Sequence, residues 1–178
     1  MSSPTTSYRV LSRVEHRKDS NFLQVQEIGT KVLRILNQPS IQAAIKDENQ
    51  LGASSARVQE TILADLERLG FTSEKTGLFS EYQVSGIRPD YFKPLEGGGI
   101  LFEVERGKTL ANNMDLLDVW KTHICKEAQH LFLMVPKIRV NGQGQQQKVF
   151  IPVVNRLESF FEASCPPIDV TSVHIFGY

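Results

Sequence analysis

The sequence predicts an α/β domain with a mixed central sheet flanked by helices, and three observations lead there. From residue 54 onward, apolar positions with helical period alternate with short β-prone runs. The run "HLFLMVP" at 130–136 is apolar throughout at strand length, which marks a strand covered on both faces. Between 100 and 136 a strand pattern, an amphipathic helix and that apolar run follow one another, the order of a right-handed parallel crossover.

Taken in order, residues 1–20 are polar and charged and are expected to be loose at the start. "NFLQVQEIGTKVLRILNQ" sets Phe22, Val25, Ile28, Val32 and Ile35 on one helical stripe, with Asn21 as its cap. "PSIQAAIKDENQ" reads as a short second helix opened by Pro39 and Ser40. Together these make an N-terminal helical appendage, residues 1–50, ahead of an α/β domain over 51–178. In that domain Ser54 or Ser55 caps a helix carrying Val58, Ile62, Leu66 and Leu69, which Gly70 ends. Three β-prone runs follow: "FTSEKTGLFS", "EYQVSGIRPDYF" and "GILFEVER". "LANNMDLLDVWKTHICKEA" is an amphipathic helix, the strand at 130–136 comes next, and "KIRVNGQGQQQK" reads as a polar loop. "VFIPVVNRLESFFEAS" reads as a strand or extended lead-in followed by a helix stopped by Pro166 and Pro167, and "DVTSVHIFGY" is a closing strand.

Lysines and arginines (20) equal aspartates and glutamates (20), so no net field points to a nucleic-acid partner, although a local basic stripe could still serve one. Cys125 and Cys165 lack metal-ligand spacing and no disulfide is expected. No run approaches the ~18 apolar residues of a membrane span, and the N-terminus has no apolar leader core. A soluble, cytoplasmic protein with no membrane partner is expected.

The chemistry concentrates in "SGIRPDYFKPLEGGGILFEVERGKT", residues 85–109. Strand period two turns Glu103 and Glu105 one way and Val104 the other. A glycine reversal centred near Glu96 to Gly98 sets Asp90 opposite the 103–105 segment. Pairing Asp90 with either glutamate gathers all three carboxylates on one face, whereas pairing it with Val104 scatters them. Pro89 cannot donate to a ladder and predicts a bend beside Asp90. Three carboxylates within ~5–6 Å repel and raise one another's pKa, which a hard divalent cation relieves. An oxygen-only set suits Mg²⁺ or Mn²⁺ rather than Zn²⁺, and phosphoryl transfer is the chemistry that uses such a site. The plainer reading of Glu-Val-Glu is a strand with one solvated face.

Pro89-Asp90 on the second strand and Glu103-Val104-Glu105 on the third, behind a helix and ahead of a helix and strand, resemble the PD-(D/E)xK nuclease superfamily over residues 54–136. The resemblance implies a restriction endonuclease-like αβββαβ core and Mg²⁺-dependent cleavage of DNA. Asp90 and Glu103 would be metal ligands with the Val104 carbonyl, and Glu60 would be either an extra ligand or a solvent-facing helix glutamate. Glu105 stands where most of that family has lysine, as in one branch of restriction enzymes, and would be a ligand or a water-orienting base. The missing cation would come from Lys108, just past the strand, or Lys121 on the following helix. Lys121 could equally be a surface residue pairing with Asp118. Cutting both strands of a duplex would call for a homodimer. The alternative is a catalytically inactive module of the same fold that binds nucleic acid or a protein.

Other features carry less. His123 and His130 lack a third zinc ligand, and "GKT" at 107–109 lacks the glycine a phosphate loop needs at 102. Trp120 falls in an apolar stripe and is expected in the core. Arg88, Arg106, Lys108, Lys121, Lys126, Lys137, Arg139 and Lys148 could line a phosphate-tracking groove.

Overall fold

In the computed structural model the chain opens with a strand, β1 (Ser7–Ser12), and a 3₁₀ turn (Val14–Lys18). Helices α1 (Ser20–Leu36), α2 (Pro39–Glu48) and α3 (Ser55–Arg68) follow, then strands β2 (Thr72–Ser73), β3 (Tyr91–Lys93) and β4 (Gly99–Val104). Helix α4 (Met114–Ile124) leads into β5 (Ala128–Val135). A ribbon of β6 (Ile138–Val140) and β7 (Gln146–Lys148), helix α5 (Phe150–Glu158) and strand β8 (Ser172–Gly177) complete the chain. The structure describes residues 6–49, 54–73, 88–107, 109–140, 143–162, 164–165 and 168–178. The expected strand residues 74–87 lie outside them.

The main sheet has six strands in the order β1-β8-β5-β4-β3-β2. β4, β5 and β8 run parallel, while the β2-β3-β4 meander and the β1-β8 pair are antiparallel. This is the expected mixed α/β sheet, with α4 making the crossover from β4 to β5. Among the described residues no helix is long and apolar enough to cross a membrane.

Each face of the sheet carries its own core. Ile100, Phe102 and Val104 join Phe132, Met134 and Phe176 under α1, α2 and α3. Leu101, Leu131, Leu133, Val173 and Ile175 pack on the other face with Val119 of α4 and Val153 and Leu157 of α5. All six residues of β4 are buried. Glu103 has the parity of Leu101, so the sheet holds its carboxylate on the α4 side.

The turn into β4 needs its glycines. Gly97 (φ 87°) and Gly98 (φ 115°) occupy the left-handed region, where a side chain strains the backbone. Gly99 matters for closeness: a Cβ there would stand 2.6 Å from the Lys93 carbonyl oxygen and 2.9 Å from that of Glu127. Both obstacles are backbone and cannot rotate away. Gly99→Ala is therefore expected to cost about 2–3 kcal/mol, read as a lower denaturation midpoint with an unchanged slope.

Four expectations change. The N-terminus is not loose from residue 7: Ser7–Ser12 pairs along its whole length with β8 and forms the sheet edge. The proposed boundary near residue 50 cuts through this packing, because α1 and α2 bury Val25, Val32, Leu36, Ile41 and Ile45 in the same core as β4 and β5. Asn21 is not the cap of α1, since Asp19 holds that position and the Asn21 amide donates to the Gly97 carbonyl at 2.8 Å. The polar loop after β5 contains the exposed β6-β7 ribbon, and "FIP" is helical because Pro152 falls in the first turn of α5, where no donor is lost.

Candidate functional site

Tyr91 pairs with Phe102 and Phe92 with Leu101, so the β3-β4 register continued by one residue sets Asp90 opposite Glu103. This is one of the two registers that gather the acids. Pro89 is buried and offers no donor, and the ladder gives way to side-chain bonds at Asp90. Asp90 Oδ2 accepts from the Val104 N–H at 2.7 Å, while the Asp90 N–H donates to Glu103 Oε2 at 3.3 Å. The aspartate thus clips the end of β3 to β4.

Helix α4 brings the cation. Lys121 Nζ donates to Glu103 Oε1 at 2.6 Å and lies 3.3 Å from Asp118 Oδ1. The exposures are 21% for the Lys121 side chain, 5% for that of Glu103 and 1% for that of Asp118. The interval of three residues that could have made an ordinary surface pair instead faces inward, because Val119 and Thr122 on the same side of α4 are buried. Asp115, one turn earlier, has its own partner: Arg156 Nε and Nη2 reach its two oxygens at 2.9 and 2.6 Å.

Burial and crowding raise three of the acids here, Glu103, Glu105 and Asp118. Burial holds the Glu103 carboxyl well above its usual range, Asp118 and Asp90 add to the rise, and Lys121 opposes it. Glu105 is pushed up to about 8 by burial, then by Asp118 and Asp90. Asp118 is pushed up to about 6 by burial against the pull of Lys121. Burial alone would lower Lys121, but Glu103 and Asp118 outweigh it and hold the ammonium above its usual range. Glu103, Glu105 and Asp118 therefore share one field with one lysine, and their protons belong to the cluster rather than to single residues.

The structure brings Asp90, Glu103, Glu105 and Lys121 together and adds Asp118, whose role the sequence reading limited to pairing. An available signal was the repeat of Asp115, Asp118 and Lys121 at three-residue steps along one side of the amphipathic helix. Glu60 is on the exposed side of α3, which packs on the opposite face of the sheet from Glu103. Lys108 lies outside the described residues. The oxygen-only chemistry fits a hard divalent cation, yet among the described residues no group of three His, Cys, Asp or Glu side chains is disposed to hold one ion. The Lys121 ammonium occupies one Glu103 oxygen and the Asp90 N–H the other. Trp120, expected in the core, is 53% exposed, as the helix turns that residue outward beside Leu117 and Ile124.

A second buried polar group lies against α1. His130 Nδ1 is 2.8 Å from Ser172 Oγ and His174 Nδ1 is 2.6 Å from Tyr8 Oη. Burial pulls these imidazoles down to about 4 and about 3, so both are neutral in the folded protein. His130 is thus a core histidine rather than a zinc ligand with His123, whose Nδ1 accepts from the Asp169 N–H at 3.0 Å. No family model, curated protein or solved structure matches this chain.

Proposed function

We propose that the chain is a metal-dependent nuclease that hydrolyses DNA phosphodiester bonds, with the restriction endonuclease-like arrangement its motifs resemble. The observation that carries this reading is the junction of Asp90 with Glu103 across β3 and β4, answered by Lys121 from the next helix. A lysine missing from the strand is replaced in space by one sixteen residues beyond Glu105, at the same carboxylate.

Asp90, Glu103 and the Val104 carbonyl would hold Mg²⁺ or Mn²⁺, with Glu105 beside them. The ion would polarise a phosphate oxygen and acidify a water. Glu105, with proton affinity near neutral pH, is suited to orient that water and accept its proton. Lys121 keeps a positive charge at any working pH and would stabilise negative charge growing on the phosphate. DNA is the expected substrate from the motifs, and a duplex cut would use two copies of the chain.

One observation favours the alternative, a non-catalytic module: Lys121 already neutralises Glu103 at 2.6 Å, so the pair is satisfied as it stands. Titration calorimetry with Mn²⁺ separates the two. The nuclease reading expects uptake at sub-millimolar to millimolar Mn²⁺, abolished by Glu103→Gln and releasing protons near pH 7, because carboxyls raised by burial and then by neighbouring acids must ionise to bind. No heat of binding at millimolar Mn²⁺, with or without DNA, supports the module and ends the nuclease reading.

A further inference from the structure

We propose that the β6-β7 ribbon is a recognition blade that enters the major groove of duplex DNA. Val140 and Gln146 meet base edges, and Arg139 and Lys148 meet the flanking phosphates. This rests on DNA being the substrate, as above, and involves no metal ion.

The segment 137–148, "KIRVNGQGQQQK", holds three cations and no acid. The chain as a whole balances its charges, so this stretch concentrates positive charge locally in a neutral protein. In the fold it becomes an antiparallel pair outside the main sheet, with Ile138 opposite Lys148, Arg139 opposite Gln147 and Val140 opposite Gln146. Every residue of the pair is exposed except Arg139, which is half-buried. Cross-strand partners share a face, so Ile138, Val140, Gln146 and Lys148 stand on one side and Arg139 and Gln147 on the other. Ile138 is 48% exposed and Val140 47%. A two-stranded ribbon is marginal in water, and this one turns both aliphatic side chains to solvent, so the burial that would steady it has to come from a partner.

Its chemistry selects that partner. The major groove of B-form DNA admits a two-stranded ribbon, and three residues per strand make a blade roughly 10 Å long against a groove depth of ~8.5 Å. A glutamine amide pairs with adenine, an aliphatic group packs on the thymine methyl, and lysine or arginine answers a phosphate. Val140 and Gln146 close the ladder toward the tip, while Ile138 and Lys148 stand at its root. A protein strand added to the ribbon would pair with backbone and leave the concentrated charge unanswered.

The root places the blade beside the acidic site. The Lys137 N–H donates to the Tyr178 carbonyl at 2.7 Å and the Val149 N–H to the Lys137 carbonyl at 3.0 Å, which ties the ribbon to the end of β8. Tyr178 Oη donates to the Glu105 carbonyl at 3.1 Å, and the Glu105 N–H donates to the Met134 carbonyl at 2.8 Å. Ribbon and acids therefore leave the sheet at the same edge, the carboxyl ends of β4, β5 and β8, where open α/β sheets bind their ligands.

The test measures binding by fluorescence anisotropy in EDTA, on the full chain. One probe is a labelled mixed-sequence duplex, and the other is the same duplex carrying glucosylated 5-hydroxymethylcytosine, whose sugars fill the major groove and leave the phosphates alone. The wild type should bind the glucosylated duplex about tenfold more weakly or worse. Arg139→Ala and Lys148→Ala should each weaken binding to the plain duplex and lower its salt slope by about 0.9. Combining them with Val140→Ala and Gln146→Ala should leave a protein that binds both duplexes alike, with an unchanged denaturation midpoint because these side chains lie outside both cores. Equal binding of the two duplexes by the wild type, no binding to either, or full affinity in the fourfold variant overturns the proposal. Self-association that Ile138→Ser abolishes while DNA affinity stays assigns the ribbon to a protein surface and overturns it too. A wild type that prefers the plain duplex through the ribbon yet leaves it uncut in Mg²⁺ ends the nuclease reading and leaves this inference standing. Cutting that is unaltered in the fourfold variant at sub-saturating DNA does the reverse.

Discussion

Asp90→Asn is expected to abolish metal-dependent DNA cleavage, by about a thousandfold or more, while leaving the fold intact. A factor of that size is on the order of 4 kcal/mol of transition-state stabilisation, the scale of losing one fixed charge from a water-excluded site. The substitution is chosen for what it keeps. Asn retains an oxygen that can accept from the Val104 N–H, the bond that Asp90 Oδ2 makes at 2.7 Å, so the clip between β3 and β4 survives while the charge is lost. Glu103→Gln should silence cleavage equally but is less gentle. Glu103 accepts from the Lys121 ammonium with one oxygen and from the Asp90 N–H with the other, and an amide can serve only one of them. That leaves a buried donor unanswered, at about 1–3 kcal/mol. Cleavage of duplex DNA in Mg²⁺ or Mn²⁺, beside a denaturation curve for each variant, makes the comparison. Unchanged cleavage by Asp90→Asn refutes the site.

The second large effect is on stability and runs through Lys121. Lys121→Met keeps the length of the side chain but removes the one cation shown between Glu103 and Asp118, and breaking a buried pair from one side costs about 3–5 kcal/mol. The loss should depend on pH in a stated direction. Glu103 and Asp118 have raised carboxyl pKa values in the folded protein, so the folded state holds protons that the unfolded chain has released. Stability then falls as pH rises from about 4, where unfolded carboxyls ionise, through the raised folded values. Without the lysine those values rise further and the fall steepens. The variant should approach wild-type stability near pH 5 and be weakest near pH 8. In the wild type the same sign holds more gently, with Asp118 acting to about pH 6 and Glu105 to about pH 8. Chemical denaturation at pH 5, 6.5 and 8 measures both slopes, and a loss independent of pH would mean that Lys121 acts by packing alone.

Much of this protein was legible in its residues because the relevant rules are local. Period two in "GILFEVER" was enough to turn Glu103 and Glu105 the same way, and a three-glycine reversal narrowed the partner of Asp90 to residues 103–105, but which of those registers forms was decided by the folded β3-β4 pair. The apolar run at 130–136 announced a buried parallel strand by an equally local rule, and the crossover order followed from α4 lying between two strands. What lay beyond these rules came from residues far apart in the chain. A polar N-terminal segment became the edge strand β1 only because β8 offered it a partner 160 to 170 residues away, along the register from Ser7–Gly177 to Ser12–Ser172. Asn21, a plausible cap by sequence, was drawn instead to the glycine turn before β4. The cation that answers the two glutamates could be narrowed to Lys108 or Lys121 by sequence, but the meeting of Lys121 with Glu103 depends on how α4 settles on the sheet. Asp118 shows the division most plainly: its spacing from Lys121 is written in the chain, whereas its burial without hydrogen-bond donors exists only once that helix has packed. Side-chain parity along a strand is a property of the backbone itself, and counter-charge across a packed interface is a property of the folded whole.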